Sequence, residues 1–78
     1  KKNILNCLIN SQGKVLLGGD PVETKNISRV VKNKMKENEK LIISVKAHEK
    51  TRYKDYVAVI DQLKTANAKR ISIAETAD

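Results

Sequence analysis

A switch between two hydrophobic periods constrains this chain more than any other feature of its sequence. Ile27, Val30, Val31 and Met35 recur at helical spacing, which places them along one face of an α-helix. LIISV (41–45), which follows, is nearly all apolar and mostly β-branched, and this composition is typical of a strand covered on at least one face. The sequence therefore predicts helices and strands that alternate along the chain.

The N-terminal segment predicts a β-hairpin over residues 3–17. The two faces of its first strand, NILNCLIN (3–10), alternate, with Leu5, Cys7 and Ile9 on one face and Ile4, Asn6 and Leu8 on the other. Gly13 can adopt the positive φ of a turn, and VLL (15–17) returns as a second strand. GGDP (18–21) is the densest cluster of residues that break regular structure, so we expect it to end the hairpin.

Helix boundaries follow from polar residues at the ends of the helical patterns. The first helix is expected over about 24–38, with Thr24 as its N-cap. A second helical stripe, widened by Val59 and Ala66, consists of Tyr53, Tyr56, Val57, Ile60, Leu63 and Lys64. Thr51 is its expected N-cap, and Asn67 lies where helices commonly end in a left-handed residue. RISIA (70–74) alternates and predicts a final strand.

The predicted fold class is α+β, with the element order β-β-α-β-α-β. Each helix has a single apolar stripe, so both helices are expected on one face of a single mixed sheet, as a two-layer sandwich. The 78 residues provide one domain. The chain has no Trp or Phe, so its core must be aliphatic.

The sequence lacks the residue patterns that catalysis, metal binding and nucleotide binding require. It contains neither of the glycine-rich phosphate-binding motifs, and none of its serines has a nucleophile-elbow context. His48 is the single histidine and Cys7 the single cysteine, so a zinc site is not expected. Cys7 lies in an apolar run and is expected to be a small buried hydrophobe. We predict a protein that is not an enzyme and that has no cofactor.

The positive charge leaves two interpretations open. The chain has 16 Lys and Arg against 9 Asp and Glu, a formal net charge of +7. This excess is either a solvated lysine-rich surface or a footprint for an anionic partner. A small basic RNA-binding module is the alternative function, although the predicted strands carry no aromatic side chains for base stacking. The leading hypothesis expects no nucleic acid partner.

The second half of the chain, LIISVKAHEKTRYKDYVAVIDQLKTANAKRISIAETAD, resembles the ending typical of the ExbD/TolR family. The residues that carry this resemblance are Ala47, Tyr53, Val59, Ile60, Asp61, Leu63, Lys64, Ala66, Ile71, Ile73 and Glu75. SQGKVLLGGDPV in the first half is similar to the family's strand, turn, strand and approach to the first helix. His48, Arg52 and Asn67 stand where the family often has Asp, Pro and Gly.

The resemblance implies that residues 1–78 form a periplasmic, extracytoplasmic domain of a larger protein. Such a protein has an N-terminal transmembrane helix in the inner membrane, where an aspartate carries protons, and this chain lacks that helix. The implied role is non-catalytic energy transduction. The implied partners are an ExbB/TolQ-like membrane subunit, reached through the missing helix, and a TonB/TolA-like protein or peptidoglycan. A homodimer is also expected.

The candidate contacts with a partner or a second copy are Tyr53, Asp61, Arg70, Ile71, Ser72, Ile73 and Glu75. Asp61 is alternatively a solvated charge or part of a hydrogen bond within the domain, and Tyr53 is alternatively a staple between the second helix and the sheet. Edge strands present unpaired backbone groups that recruit another strand. We expect either strand 70–75 or strand 3–10 to pair with a second copy or an extended peptide.

Overall fold

The computed structural model describes residues 3–74 and contains one mixed sheet of five strands, with two α-helices. The elements are β1 (Ile4–Ile9), β2 (Val15–Leu17), β3 (Asp20–Val22), α1 (Ile27–Glu37), β4 (Ile42–Ala47), α2 (Tyr53–Thr65) and β5 (Ile71–Ile73). The strand order is β3-β2-β1-β4-β5. Strands β1, β4 and β5 are parallel, while β2 is antiparallel to both of its neighbours. The predicted α+β class is confirmed.

One face of the sheet carries the core. In β1 the burial alternates, with Leu5, Cys7 and Ile9 buried and the residues between them exposed, as the sequence predicts. The buried side chains join those of α1 and α2 in one cluster, to which the helices contribute Ile27, Val31, Val59 and Leu63. Burying a large aliphatic side chain contributes about 1.5–3 kcal/mol, so this layer supplies most of the driving force for folding.

Strand β3 differs from the sequence expectation that GGDP ends the hairpin. Gly18 and Gly19 have φ angles of 62° and 91°, and two consecutive positive φ angles are the signature of a tight two-residue hairpin turn. The chain therefore reverses immediately, and Val22 pairs with Val15. Pro21 is accommodated because β3 is an edge strand. The hairpin is extended into a three-stranded meander.

Neither threonine that we expected to cap a helix does so. Thr24 begins a 3₁₀ turn, Thr24–Asn26, and α1 starts only at Ile27, without a side-chain cap. The N-cap residue of α2 is Arg52, also without a side-chain hydrogen bond. The Thr51 hydroxyl instead lies 3.2 Å from the carbonyl oxygen of Ile9 and 2.9 Å from that of Asn10. Thr51 therefore connects the loop before α2 to the end of β1.

The C-terminal end of α2 agrees with the sequence prediction. Asn67 has a φ of 62°, and its N–H donates to the Lys64 carbonyl at 2.9 Å. The Ala68 N–H donates to the Leu63 carbonyl at 3.1 Å. These two bonds form a Schellman motif, which satisfies the last carbonyl groups of the helix.

The other face of the sheet carries no helix, and we call it the open face. The alternation of side chains and the strand register place nine strand residues on it, namely Ile4, Asn6, Leu8, Leu16, Pro21, Ile42, Ser44, Lys46 and Ser72. Four of these are large aliphatic residues and one is a proline, whereas the single charged residue is a lysine. An apolar surface with a positive margin is thus left uncovered in residues 3–74.

Candidate functional site

The free edge of β5 is the candidate site that the fold creates. β5 pairs with β4 on one side, with Ile71 opposite Ile43 and Ile73 opposite Val45, and no described strand lies on its other side. The bonds to β4 include Ile43 N–H to the Arg70 carbonyl at 2.8 Å and Ala74 N–H to the Val45 carbonyl at 2.9 Å. Because alternate residues of a strand bond to opposite sides, the N–H and C=O groups of Ile71 and Ile73 face the free edge.

The expectation that strand 3–10 could be a free edge is wrong. That strand is β1, which lies between β2 and β4 in the sheet; it pairs with β4 along its whole length and with β2 over Cys7–Ile9. The second free edge belongs to β3 instead. β3 has only three residues and contains Pro21, which has no N–H to donate. β5 has the same length but contains no proline, and since a proline at a sheet edge resists strand addition, β5 is the edge that accepts another strand more readily.

The side chains of β5 give this edge two different faces. Ile71 is half-buried on the helix side, whereas Ile73 on the same side is 58% exposed. Ser72 lies on the open face beside Ser44. The Arg70 guanidinium is exposed, and its Nη1 lies 3.4 Å from the Glu39 carbonyl oxygen. A strand added at this edge would therefore meet an exposed apolar side chain at Ile73 and a cation near Arg70.

Tyr53 does not staple α2 to the sheet, contrary to one of the two sequence interpretations. Its side chain is 78% exposed, and its ring centroid lies 6.3 Å from that of Tyr56. Tyr53 begins α2 just after β4 ends, and Val45 of β4 pairs with Ile73. Tyr53 and Ile73 consequently belong to the same end of the domain, while Arg70 belongs to the opposite end.

Of the two remaining candidate contact residues, the structure describes one, Asp61. Asp61 is exposed on α2, and no hydrogen bond or ion pair involves its side chain within residues 3–74. Its role as a partner contact stays a prediction. Glu75 lies outside the described residues. The structure thus brings Ile71, Ser72 and Ile73 together on β5, with Arg70 immediately before this strand, whereas Asp61 lies on α2.

Residues with reactive side chains do not form a chemical centre in the described range. Cys7 is fully buried, and desolvation raises the pKa of its thiol to about 11, so the nucleophilic thiolate is disfavoured. The His48 Nδ1 accepts a hydrogen bond from the Lys50 N–H at 3.0 Å. No three metal-ligating side chains cluster among residues 3–74. No helix in that range is long and apolar enough to cross a membrane.

The sequence interpretation missed a depression on the open face. Its volume is about 450 Å³, and Leu8, Leu16 and Pro21 line it together with Lys14 and Lys46. The alternation in β1 already placed Leu8 on the face opposite Leu5, Cys7 and Ile9. However, the contribution of Pro21 depends on β3, and the position of Lys46 depends on the parallel pairing of β1 with β4. Neither pairing can be derived from local periodicity.

Comparison with known proteins assigns the family. No curated protein matched the chain. The family model described as "Biopolymer transport protein ExbD/TolR" matches residues 1–78, the whole sequence, in agreement with the resemblance of the strand, loop, helix and strand in the second half. The chain therefore belongs to the ExbD/TolR family, whose members are transport and energy-transduction components that work in complexes with membrane partners.

Proposed function

We propose that this domain is the periplasmic part of an ExbD/TolR-like subunit of a motor driven by the proton-motive force. In the full-length protein, a transmembrane helix would anchor it in the inner membrane beside an ExbB/TolQ-like subunit. The domain itself performs no catalysis. It transmits movement of the membrane complex outward, either to a TonB/TolA-like protein or to peptidoglycan, in support of outer-membrane transport or integrity.

The free edge of β5 is the observation that carries this proposal. A coupling domain must bind another polypeptide reversibly, and an edge strand offers directional backbone hydrogen bonds for such binding. Ile71 and Ile73 direct their N–H and C=O groups to this edge, and the exposed Ile73 side chain adds an apolar contact. A symmetric dimer or a partner peptide would use the same groups, so the two states would compete.

A pair of proline substitutions tests the role of the edge. Ile73→Pro removes an N–H that faces the free edge, which an edge strand tolerates. Ser72→Pro is the matched control. Residue 72 directs its N–H toward β4, so this substitution removes a hydrogen bond between β4 and β5 and should destabilise the strand itself. In the full-length protein expressed with its membrane partner, Ile73→Pro should abolish energised transport while the isolated domain unfolds at nearly the wild-type temperature.

Site-specific crosslinking separates the possible outcomes. A photo-crosslinking residue at position 73 should capture a second copy or a TonB/TolA-like protein. The same residue at position 61 shows whether a partner also contacts the exposed surface of α2. Full transport activity of Ile73→Pro, with no crosslinks at position 73, would rule out the edge as the coupling surface.

Membrane topology provides an independent test of the location. A cysteine placed at exposed position 54 should react with a membrane-impermeant maleimide in intact spheroplasts, because Lys54 is exposed whereas the native Cys7 is buried. Labelling only after the cells are lysed would place the domain on the cytoplasmic side and contradict the proposal.

The RNA-binding alternative rests only on the net charge of +7. The open face has no aromatic side chain among its nine strand residues, so it offers no stacking platform of the kind RNA-binding sheets use. Submicromolar binding of single-stranded RNA that weakens steeply with salt would favour this alternative.

A further inference from the structure

The depression on the open face is a second surface that the edge of β5 does not use. The register forms one row across four strands, Pro21, Leu16, Leu8 and Lys46, which links β3, β2, β1 and β4. Leu8 and Leu16 are 38% and 41% exposed, although both are large aliphatic residues. Adjacent strands lie about 4.8 Å apart, so the three apolar members span about 10 Å.

The charged residues that line the depression are both positive. Lys46 ends the row, and Lys14 is the other charged lining residue. None of the nine strand residues on the open face is acidic, and no acidic residue lines the depression, although Asp20 and Glu49 are sequence neighbours of lining residues. Within residues 3–74, the only ion pair joins Lys25 and Glu23, so Lys14 and Lys46 have no acidic partner there. This surface complements an occupant that is apolar and negatively charged.

The backbone of the sheet indicates what kind of segment fits. Three of the four strands beneath the depression, β2, β1 and β4, are interior strands. The fourth, β3, is an edge strand whose central residue, Pro21, has no N–H to donate, so an extended peptide lying on the face would find few backbone partners. A helix satisfies its own backbone bonds and has a diameter of about 10–12 Å with its side chains, which matches the width of the apolar row. Sheets commonly bury an apolar face beneath helices, as α1 and α2 do on the other side.

We propose that the open face binds an acidic amphipathic α-helix of a partner protein, whose apolar stripe lies on Leu8, Leu16 and Pro21 and whose carboxylates face Lys14 and Lys46. A second copy fits less well, because a twofold axis through this face would bring the lysines of both copies together. A lipid surface also fits less well, because the apolar side chains line a depression instead of projecting from the domain.

The test uses two designed peptides that differ only in charge. Each has about 18 residues, about 27 Å of helix, comparable with the 25 Å middle dimension of the domain. Both carry the same leucine stripe, flanked by glutamates in one peptide and by lysines in the other. Binding to the ¹⁵N-labelled 78-residue domain is followed by backbone amide shifts. The acidic peptide should shift Leu8, Leu16 and Lys46 and bind at least about tenfold more tightly than the basic peptide.

Charge reversal tests whether the lysines select the peptide. Lys14→Glu combined with Lys46→Glu should weaken binding of the acidic peptide at least about fivefold and strengthen binding of the basic one. Lys32→Glu combined with Lys64→Glu is the matched control, since these exposed lysines lie on α1 and α2, and it should change the affinity less than about twofold. Unchanged thermal unfolding verifies that each variant is folded.

Four results would overturn the proposal. Equal binding of both peptides would mean that the surface is only nonspecifically apolar. Shifts confined to Ile71 and Ile73 would place the peptide at the edge of β5. Binding of anionic phosphatidylglycerol vesicles without binding of the acidic peptide would identify the surface as a lipid contact, and a concentration-dependent dimer lost in Leu16→Glu would identify it as a contact between copies. None of these results alters the test of the β5 edge.

Discussion

Gly13 brings the turn between β1 and β2 against the first turn of α2. Its φ is 84°, and a Cβ atom at this position would lie 2.5 Å from the Asp55 Oδ2 and 2.7 Å from the Asp55 Cγ. Gly19 also has a positive φ, of 91°, but a Cβ there would meet nothing within 4 Å. An alanine at either position would have a strained backbone, but only an alanine at position 13 would also collide with a side chain.

Gly13→Ala is expected to destabilise the domain more than Gly19→Ala. The positive φ costs each alanine about 1 kcal/mol, and only Gly13→Ala also displaces Asp55. Urea unfolding of both variants measures the difference in the free energy of unfolding. In an Asp55→Ala background, the cost of Gly13→Ala should fall to that of Gly19→Ala. An equal cost of both substitutions in the wild-type background would contradict the close contact.

Asn67 provides the second conformational test. Asn67→Gly should be nearly neutral, because both residues tolerate the left-handed φ of 62°. Asn67→Val should reduce the free energy of unfolding by roughly 1 kcal/mol or more, since a β-branched residue fits this region poorly. Chemical denaturation followed by circular dichroism measures both changes. Equal effects of the two substitutions would mean that α2 does not end at a left-handed residue.

Burial of Cys7 makes the stability depend on pH in the alkaline range. The pKa of the folded thiol is raised from its ordinary value of 9.0 to about 11, so the fold favours the neutral form. This contribution is complete below pH 9 and is lost as the pH rises through 11, by up to about 3 kcal/mol. Urea unfolding between pH 8 and about 11 measures the slope. Cys7→Ala is the control for titrating lysines and tyrosines, and a parallel slope in this variant would contradict the prediction.

At the scale of elements, Thr51 ties α2 to the sheet. Its hydroxyl lies within hydrogen-bond distance of the carbonyls of Ile9 and Asn10. Thr51→Val keeps the shape but removes the donor, and should cost about 1 kcal/mol in the free energy of unfolding. Thr24→Val is the matched control, because Thr24 makes no capping bond, and it should cost less than about 0.5 kcal/mol. If Thr24→Val proves the more costly, the roles assigned to the two threonines are reversed.

Elements with a clear hydrophobic period in the sequence were predictable, whereas elements that depend on pairing between strands were not. The alternation of Leu5, Cys7 and Ile9 predicted β1 with its buried face, and the position of Asn67 predicted the end of α2. β3 was missed because Gly18 and Gly19 break regular structure in most contexts, whereas here their positive φ angles form a hairpin turn.

The same limit applies to the candidate site. RISIA predicted that β5 exists, and its free edge was one of two alternatives considered. Local sequence does not determine which strand lies at the edge of a sheet, because strand order depends on contacts between distant residues. Strand 3–10 was therefore considered as an edge, although the structure places it between β2 and β4 in the interior of the sheet.

At the scale of the whole molecule, few of the positive charges that the structure describes are neutralised by a direct ion pair. The single ion pair within residues 3–74, Lys25 with Glu23 at 3.7 Å, is exposed on both sides and contributes little. Raising the ionic strength from about 0.01 to about 0.15 M shortens the screening length from about 30 to about 8 Å. Because a net charge of +7 repels itself most in the compact state, added NaCl should raise the urea midpoint.

A charge variant provides the control for this prediction. Lys32→Glu combined with Lys64→Glu lowers the net charge by four, from +7 to +3, and should reduce the salt-induced rise in the midpoint. If the urea midpoint falls with NaCl, or if it rises as much in the variant as in the wild type, repulsion among the positive charges does not limit the stability.

The central position of β1 also determines when the domain can fold. β1 is synthesised before the other described strands, yet its parallel partner begins 38 positions later, where Ile42 lies opposite Ile4. Closing such a long loop is slow, so a nascent chain that ends before β4 presents the β1–β2–β3 meander with its apolar face uncovered. The central pairing of the sheet consequently forms only after β4 has been synthesised, and a chain interrupted near its middle would be a target for chaperones and proteases.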